Sequence, residues 1–284
     1  ANISQPASNG RNCASCHNDL STYSRFTVKE VTFPSGVKIS FGEGNDNNLC
    51  INCHQGRESK RSIDSTIASA GVGDDETSES LRFRNPHYFA AGATLFGADA
   101  MGAYMYDGKE YNGKNTHVQG FDTCAGCHDA HALSVKAESC INCHPVVKTE
   151  ADFGLIRFTQ GDFDGDGDEA EGLNGEIETL AEKLYAAIQA YTAANSLPTI
   201  LYDANRYPYW FEDKDANGTV DGEDAGYATW TPRLIRAAFN YTWTLKDPGA
   251  YAHNGAFMIQ VLYDAIEDMN GDMSGLLRPE VKAP

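Results

Sequence analysis

The pentapeptide CINCH stands at residues 50–54 and returns at 140–144. With Cys13-Ala-Ser-Cys16-His17 and Cys124-Ala-Gly-Cys127-His128, the motifs Cys50-Ile-Asn-Cys53-His54 and Cys140-Ile-Asn-Cys143-His144 use all eight cysteines of the chain. The chain has only eight histidines in 284 residues, so a His behind each of four Cys pairs would arise from composition about one time in a million. This device constrains the fold more than anything else in the sequence. Two thiols spaced by two residues can reach the two vinyl groups on one edge of a porphyrin and form thioethers, while the adjacent imidazole reaches the iron. Zinc knuckles also use CxxC, and disulfides could pair the cysteines in many ways, but neither explains a histidine after every pair. Four c-type haem attachments are the reading that does.

Subtracting four proximal histidines leaves His87, His117, His131 and His253, one for each open iron face. Imidazole suits iron, and a haem held by two imidazoles has no vacant position for substrate, which points to electron transfer rather than chemistry on a ligand. Methionine is the rival ligand. Met101, Met105, Met258, Met269 and Met273 are present, but most have a core or helix-face explanation.

One haem for every 71 residues would make much of the interior macrocycle, so the expected fold is multihaem cytochrome c: irregular loops around four haems, a few α-helices and minimal β-structure. The 27 glycines agree with that expectation. A formal charge of −18 should repel nucleic acid and anionic lipid, and suits cationic metals or basic redox partners. No run of about 18 apolar residues is present, so no membrane span is expected. The chain opens at Ala1 without an apolar leader segment. Because haem attachment is completed outside the cytoplasm, it is read as the mature form of an exported protein.

Residues 1–148 hold every CxxCH, and 149–284 are read as a helical region packed on the haem region. Attachment sites three and four begin only 16 residues apart, which forces their haems to be neighbours, because an extended chain gains about 3.3–3.6 Å per residue. The stretch VTFPSGVKISFG (31–42) reads as a hairpin. The Gly- and aromatic-rich stretch 90–114 reads as loop, its aromatics lying on porphyrin faces. Ile177, Leu180, Leu184, Ile188 and Tyr191 share a helical face. Thr231-Pro232 forms an N-cap and first-turn pair for a helix carrying Leu234, Ile235, Ala238 and Phe239. Phe257, Val261, Leu262, Ile266 and Met269 mark a last helix, stopped by Asn270-Gly271.

Two acidic loops have calcium-type spacing. DKDANGTVDGED supplies Asp213, Asp215, Asn217, Thr219, Asp221 and Asp224 around Gly218. DFDGDGDEAEG supplies Asp162, Asp164, Asp166 and Asp168 around Gly167, with Glu171 closing the site. The bland alternative for both is a solvated acidic loop.

Longer strings carry a resemblance. NPHYFAAGATLFGADAMGAYMYDGKEYNGKNTH, CAGCHDAHAL, DFDGDGDEAEGLNGEIETL and WTPRLIRAAFNYTWTLKDPGAYAHNG together resemble extracellular multihaem c-type cytochromes over roughly residues 11–270, and most of all the tetrahaem, filament-forming (OmcE-like) group. The resemblance implies a low-helix fold around a continuous haem chain, bis-histidine ligation, and electron transport at or beyond the cell surface. It also implies that His87, His117, His131 and His253 are distal ligands. Expected partners are other copies of the chain in a homopolymer, redox partner cytochromes, and extracellular acceptors such as metal oxides. Related filament cytochromes with more haems can carry a histidine ahead of the first cysteine. None precedes Cys13 here, so a ligand lent to a neighbouring protomer must come from elsewhere. His253, remote from every attachment motif, is the first choice and His87 the second. The competing expectations are a monomeric periplasmic or extracellular carrier and a multihaem oxyanion reductase. The reductase needs an open iron, for which the sequence offers neither a CxxCK motif nor a shortage of histidine.

Overall fold

The structure is a computed structural model that describes residues 12–87 and 89–281. Its helices are α1 (Asn47–Cys53), α2 (Lys60–Ala70), α3 (Ala91–Phe96), α4 (Cys124–Cys127), α5 (Leu173–Ala194), α6 (Pro232–Leu245) and α7 (Ala250–Asp268). The strands are short: β1 (His17–Asp19), β2 (Ser24–Arg25), β3 (Val31–Thr32), β4 (Lys38–Ile39), β5 (His128–Asp129), β6 (Ser134–Val135), β7 (Ile200–Tyr202), β8 (Trp210–Glu212) and β9 (Ala225–Gly226). All pairings are antiparallel, giving three two-stranded ribbons and one three-stranded sheet in the order β7-β8-β9.

The centre of the molecule is the packing of α5, α6 and α7. Ile177, Leu180, Leu184, Ile188 and Tyr191 recur at helical spacing and are all buried on one side of α5. The Thr231 side chain accepts the Leu234 N–H at 3.2 Å, and Pro232 occupies the first turn of α6, where its missing N–H is harmless. Phe239, Trp243, Phe257 and Leu262 then meet in the interior with no exposed surface, each contributing about 1.5–3 kcal/mol of burial. α7 is broken at Asn254 (φ −166°, ψ 72°), whose amide donates to the Gly113 carbonyl at 2.9 Å and whose oxygen accepts the Phe257 N–H. The side chain thus replaces helix hydrogen bonds at the break.

The polypeptide has an extensive core of its own, mixing helices with small sheets. Ile51, Ile63, Leu81 and Ala93 join the same cluster as Leu180, Phe239 and Phe257. The 90–114 stretch is mostly loop, as expected, with short helical turns over Ala91–Phe96 and Gly97–Asp99. Its first part forms α3, and Phe96, Tyr104 and Tyr111 are buried in the protein core. The glycines serve close approach there: a Cβ on Gly92 would lie 2.7 Å from the His54 carbonyl oxygen, and one on Gly102 would lie 2.5 Å from the Trp243 ring. The hairpin expected at 31–42 is present as β3 and β4 around a turn at Gly36 (φ +88°).

Candidate functional site

Each CxxCH motif makes a single tight turn that sets its two cysteines three residues apart on one side. The first is a 3-10 turn over Cys13–Ser15, and the fourth closes with the His144 N–H donating to the Cys140 carbonyl at 2.9 Å. The second forms α1, anchored by the fully buried Ile51, while the His54 carbonyl caps the start of α3 by accepting the Gly92 N–H at 2.8 Å. The third is α4, held to α1 by the Ala125 N–H, which donates to Asn47 Oδ1 at 2.8 Å.

These contacts set the motifs side by side. The Cys124 thiol hydrogen-bonds with Cys50, and that contact together with burial pushes its pKa up. Burial, then the nearby Cys140, raises Cys127. Attachment turns two, three and four therefore adjoin in that order. No disulfide joins any of the eight cysteines.

The imidazoles are arranged with equal economy. The His17 and His131 rings are nearly parallel (12°), with centroids 6.3 Å apart. His117 faces His144 at 6.0 Å, and His128 faces His253 at 6.2 Å. Two imidazoles that share one metal through bonds of about 2 Å, with each ring centre about 1 Å behind its nitrogen, hold their centroids about 6 Å apart. Three proximal and three distal candidates thus meet at the spacing that a shared iron requires.

The second ring nitrogens fit as well. His17 Nδ1 lies 2.6 Å from the Tyr23 carbonyl oxygen and His54 Nδ1 lies 3.2 Å from that of Phe89. His253 Nδ1 lies 2.8 and 3.0 Å from the two oxygens of Asp247. Carbonyl and carboxylate oxygens only accept, so Nδ1 carries the proton in each ring and Nε2 is left for a metal. Burial works against charge on Asp247, yet the His253 ring holds its carboxyl below the usual carboxylate range. Burial first, then the His253 and His54 rings, lowers His128.

The surface around the motifs suits a large flat apolar group. Leu20, Tyr23, Phe26, Phe89, Leu133 and Val146 are exposed on the segments that carry or flank the motifs, where a bare chain would ordinarily keep such side chains dispersed.

His54 and His87 belong to neighbouring segments. His87 is exposed, has a left-handed backbone (φ +67°), and its N–H donates to Asn85 Oδ1 at 2.7 Å. Its segment runs along the Nδ1 side of His54, through the Phe89 contact and through the Arg57 N–H donating to the Pro86 carbonyl at 2.9 Å.

Both acidic loops bring carboxylates together, the one at 162–171 in two overlapping groups. Carboxylates of Asp162, Asp164 and Glu176 lie within 4.8 Å of one another, as do those of Asp164, Asp166 and Glu171. Burial, followed by Asp164, Glu176 and Asp166, pushes Glu171 up to about 7. Asp168 instead turns its carboxylate to the Ala170 and Glu171 N–H groups. In the other loop Asp213, Asp215 and Asp224 converge, while Asn217, Thr219 and Asp221 bond among the turns of the loop itself. Sequence reasoning missed Glu176 and Asp247. The available signal for Glu176 was an acid on the apolar stripe of α5. For Asp247 it was an acid six residues before a candidate ligand.

Cysteine pairs followed by histidine, with imidazole facing imidazole, define a c-type haem protein. Comparison with known proteins agrees. The chain is 27% identical to the C-type polyheme cytochrome OmcC of Geobacter sulfurreducens, over 87% of this chain and 34% of that protein. It is also 27% identical to the C-type polyheme cytochrome OmcB of the same species, over 89% of this chain and 35% of that one. The chain therefore spans about a third of the length of the curated relatives it matches. No protein-family model matches it, and no solved structure does. The chain is thus similar to polyhaem c-type cytochromes, and the similarity does not single out the filament-forming tetrahaem group. Among the described residues no helix is long and apolar enough to cross a membrane.

Proposed function

We propose that this chain is an exported electron-transfer protein carrying four covalent haems, one per CxxCH, each held between two imidazoles. When bound, haem supplies a reversible one-electron centre. The chain's own residues attach it, fix its axial nitrogens and shield its faces. The observation that carries the reading is the set of three histidine pairs at 6.0–6.3 Å. It supports His17 with His131, His128 with His253, and His144 with His117. An iron filled on both sides has no place for an oxyanion, which disfavours the reductase reading.

The adjoining turns two, three and four, together with His131 reaching from the third motif to the first, support a continuous path for electrons through the protomer. His253 as the ligand lent to a neighbouring protomer is replaced in this proposal, because its ring faces His128 of its own chain and is anchored there by Asp247. His87, exposed and on the Nδ1 side of His54, takes that role for the iron of haem two. The protein would then form a homopolymer at or beyond the cell surface, passing electrons to redox partner cytochromes and to acceptors such as metal oxides. A monomeric carrier is the alternative.

Mass spectrometry of the denatured protein should retain four haems. Reduced filaments should bind no carbon monoxide, whereas dissociated protomers should bind one per chain. Fewer haems, or discrete particles alone at high concentration with every iron low-spin, would overturn the count or the assembly respectively.

A further inference from the structure

We infer that the 162–171 loop is a calcium site, built from the carboxylates of Asp162, Asp164, Asp166 and Glu171, with Glu176 holding the loop in shape. The inference is independent of haem ligation. It rests on two buried carboxylate oxygens that nothing in the protein satisfies, Asp164 Oδ2 and Glu171 Oε1, with Asp164 fully buried. A buried carboxylate oxygen without a partner loses its hydration with nothing in return, so two of them converging in one loop imply a partner from outside the chain.

The loop is already arranged for that partner. Asp162 accepts the N–H groups of Gly165 and Gly167, and Asp164 Oδ1 accepts that of Asp166 at 3.0 Å. The backbone is thereby wound through Gly165 (φ +74°) and Gly167 (φ +97°), conformations that favour glycine. Both Glu176 oxygens are engaged: Oε2 accepts the Phe163 and Asp164 N–H groups, and Oε1 accepts from Arg157. Glu176 is therefore a positioning residue.

Charge leads to the same place. Five carboxylates, those of Asp162, Asp164, Asp166, Glu171 and Glu176, face two cations of the chain. Arg157 binds Glu176 and the Gly161 and Glu171 carbonyls, and Lys183 binds the Asp164 carbonyl at 2.6 Å. Neither cation is hydrogen-bonded to the two orphaned oxygens. An all-oxygen set on alternate residues of a Gly-turned loop is hard-cation chemistry, and its several carboxylates suit the adaptable, oxygen-rich shell of calcium better than the small, hydrated magnesium ion.

The site would clamp three parts of the chain. Gly165 packs on Gly275, where a Cβ would meet backbone at 2.9 Å. The Leu277 N–H donates to the Phe163 carbonyl at 3.1 Å, and Glu176 lies in the first turn of α5. Bound calcium would thus fasten the 273–277 segment to the start of α5, on the scaffold that also carries His253.

The experiment uses the full haem-loaded protein, stripped with a calcium-selective chelator and titrated with calcium or magnesium, read by calorimetry and thermal unfolding. The wild type should bind one more calcium per chain than the Glu171→Gln and Asp164→Asn variants, and calcium should raise its unfolding temperature by several degrees more than theirs. Hydrogen exchange at residues 163–167 should slow on calcium addition in the wild type only. Equal stoichiometry in wild type and both variants would overturn the site, as would a stripped wild type indifferent to calcium. Magnesium giving the same protection at equal or lower concentration would overturn the calcium assignment. If Asp164→Asn fails to fold, the partly exposed Glu171→Gln decides alone.

Discussion

Asp247 accepts the Nδ1–H of His253 with both carboxylate oxygens, at 2.8 and 3.0 Å, from a position where its side chain is almost wholly buried. The other ring nitrogens held by the backbone, on His17 and His54, meet neutral carbonyls. Were His253 to hold a haem iron as proposed, a carboxylate behind the ring would make the imidazole a stronger donor and favour ferric over ferrous iron.

Replacing Asp247 by Asn keeps an acceptor of the same shape and removes the charge. The expected outcome is that one haem becomes easier to reduce by about 60 mV, a tenfold change for one electron, while the others stay in place. Spectroelectrochemical titration checks it, and an unchanged set of potentials would show that Asp247 only props the ring.

His253→Ala, His131→Ala and His117→Ala should each retain four haems and each open a single iron, seen as one additional carbon monoxide adduct per chain. Since each of these rings faces a proximal histidine of its own chain, none should abolish assembly directly.

His87→Ala should behave differently. In dissociated protomers it should leave the carbon monoxide count unchanged, because the ring is not spent on an iron of its own chain in this proposal. It should, however, shorten or abolish filaments in electron micrographs. Filaments of normal length would remove His87 from the interface.

Gly92→Val places side-chain atoms where even a Cβ lies 2.7 Å from the His54 carbonyl oxygen and 2.9 Å from Ile51 Cγ2. Overpacking of this kind costs about 1–3 kcal/mol, so the unfolding temperature should fall and the spectrum of haem two should be disturbed. Phe257→Ala should cost about 3–5 kcal/mol as an internal cavity, read as a lower unfolding temperature.

Local patterns were legible. The α5 stripe from Ile177 to Tyr191, the Thr231-Pro232 cap and the 31–42 hairpin depend on neighbours three or four residues away or on one turn, and each is found where its pattern lies. The packing of the 90–114 stretch was not legible. Its Gly and aromatic composition fits a loop around a cofactor as well as it fits tight helix packing, and only the position of α1 and Trp243 against Gly92 and Gly102 separates the two. Glu176 was missed because its partners, Arg157 and the Phe163 and Asp164 N–H groups, reach it only when the acidic loop folds back over the first turn of α5.

By itself the sequence determined the four attachment motifs, the histidine that follows each, and a supply of four more imidazoles to match them. Those facts are covalent or local, because two cysteines three apart and an adjacent imidazole need only one turn of chain to act together. Which imidazole faces which was decided by tertiary structure alone. His253 reaches His128 because α6 ends at Leu245, Asp247 is buried just beyond it, and α7 breaks at Asn254. A pairing across more than one hundred residues has no local signature, since it is fixed by the packing of the helices between and not by any property of the two side chains.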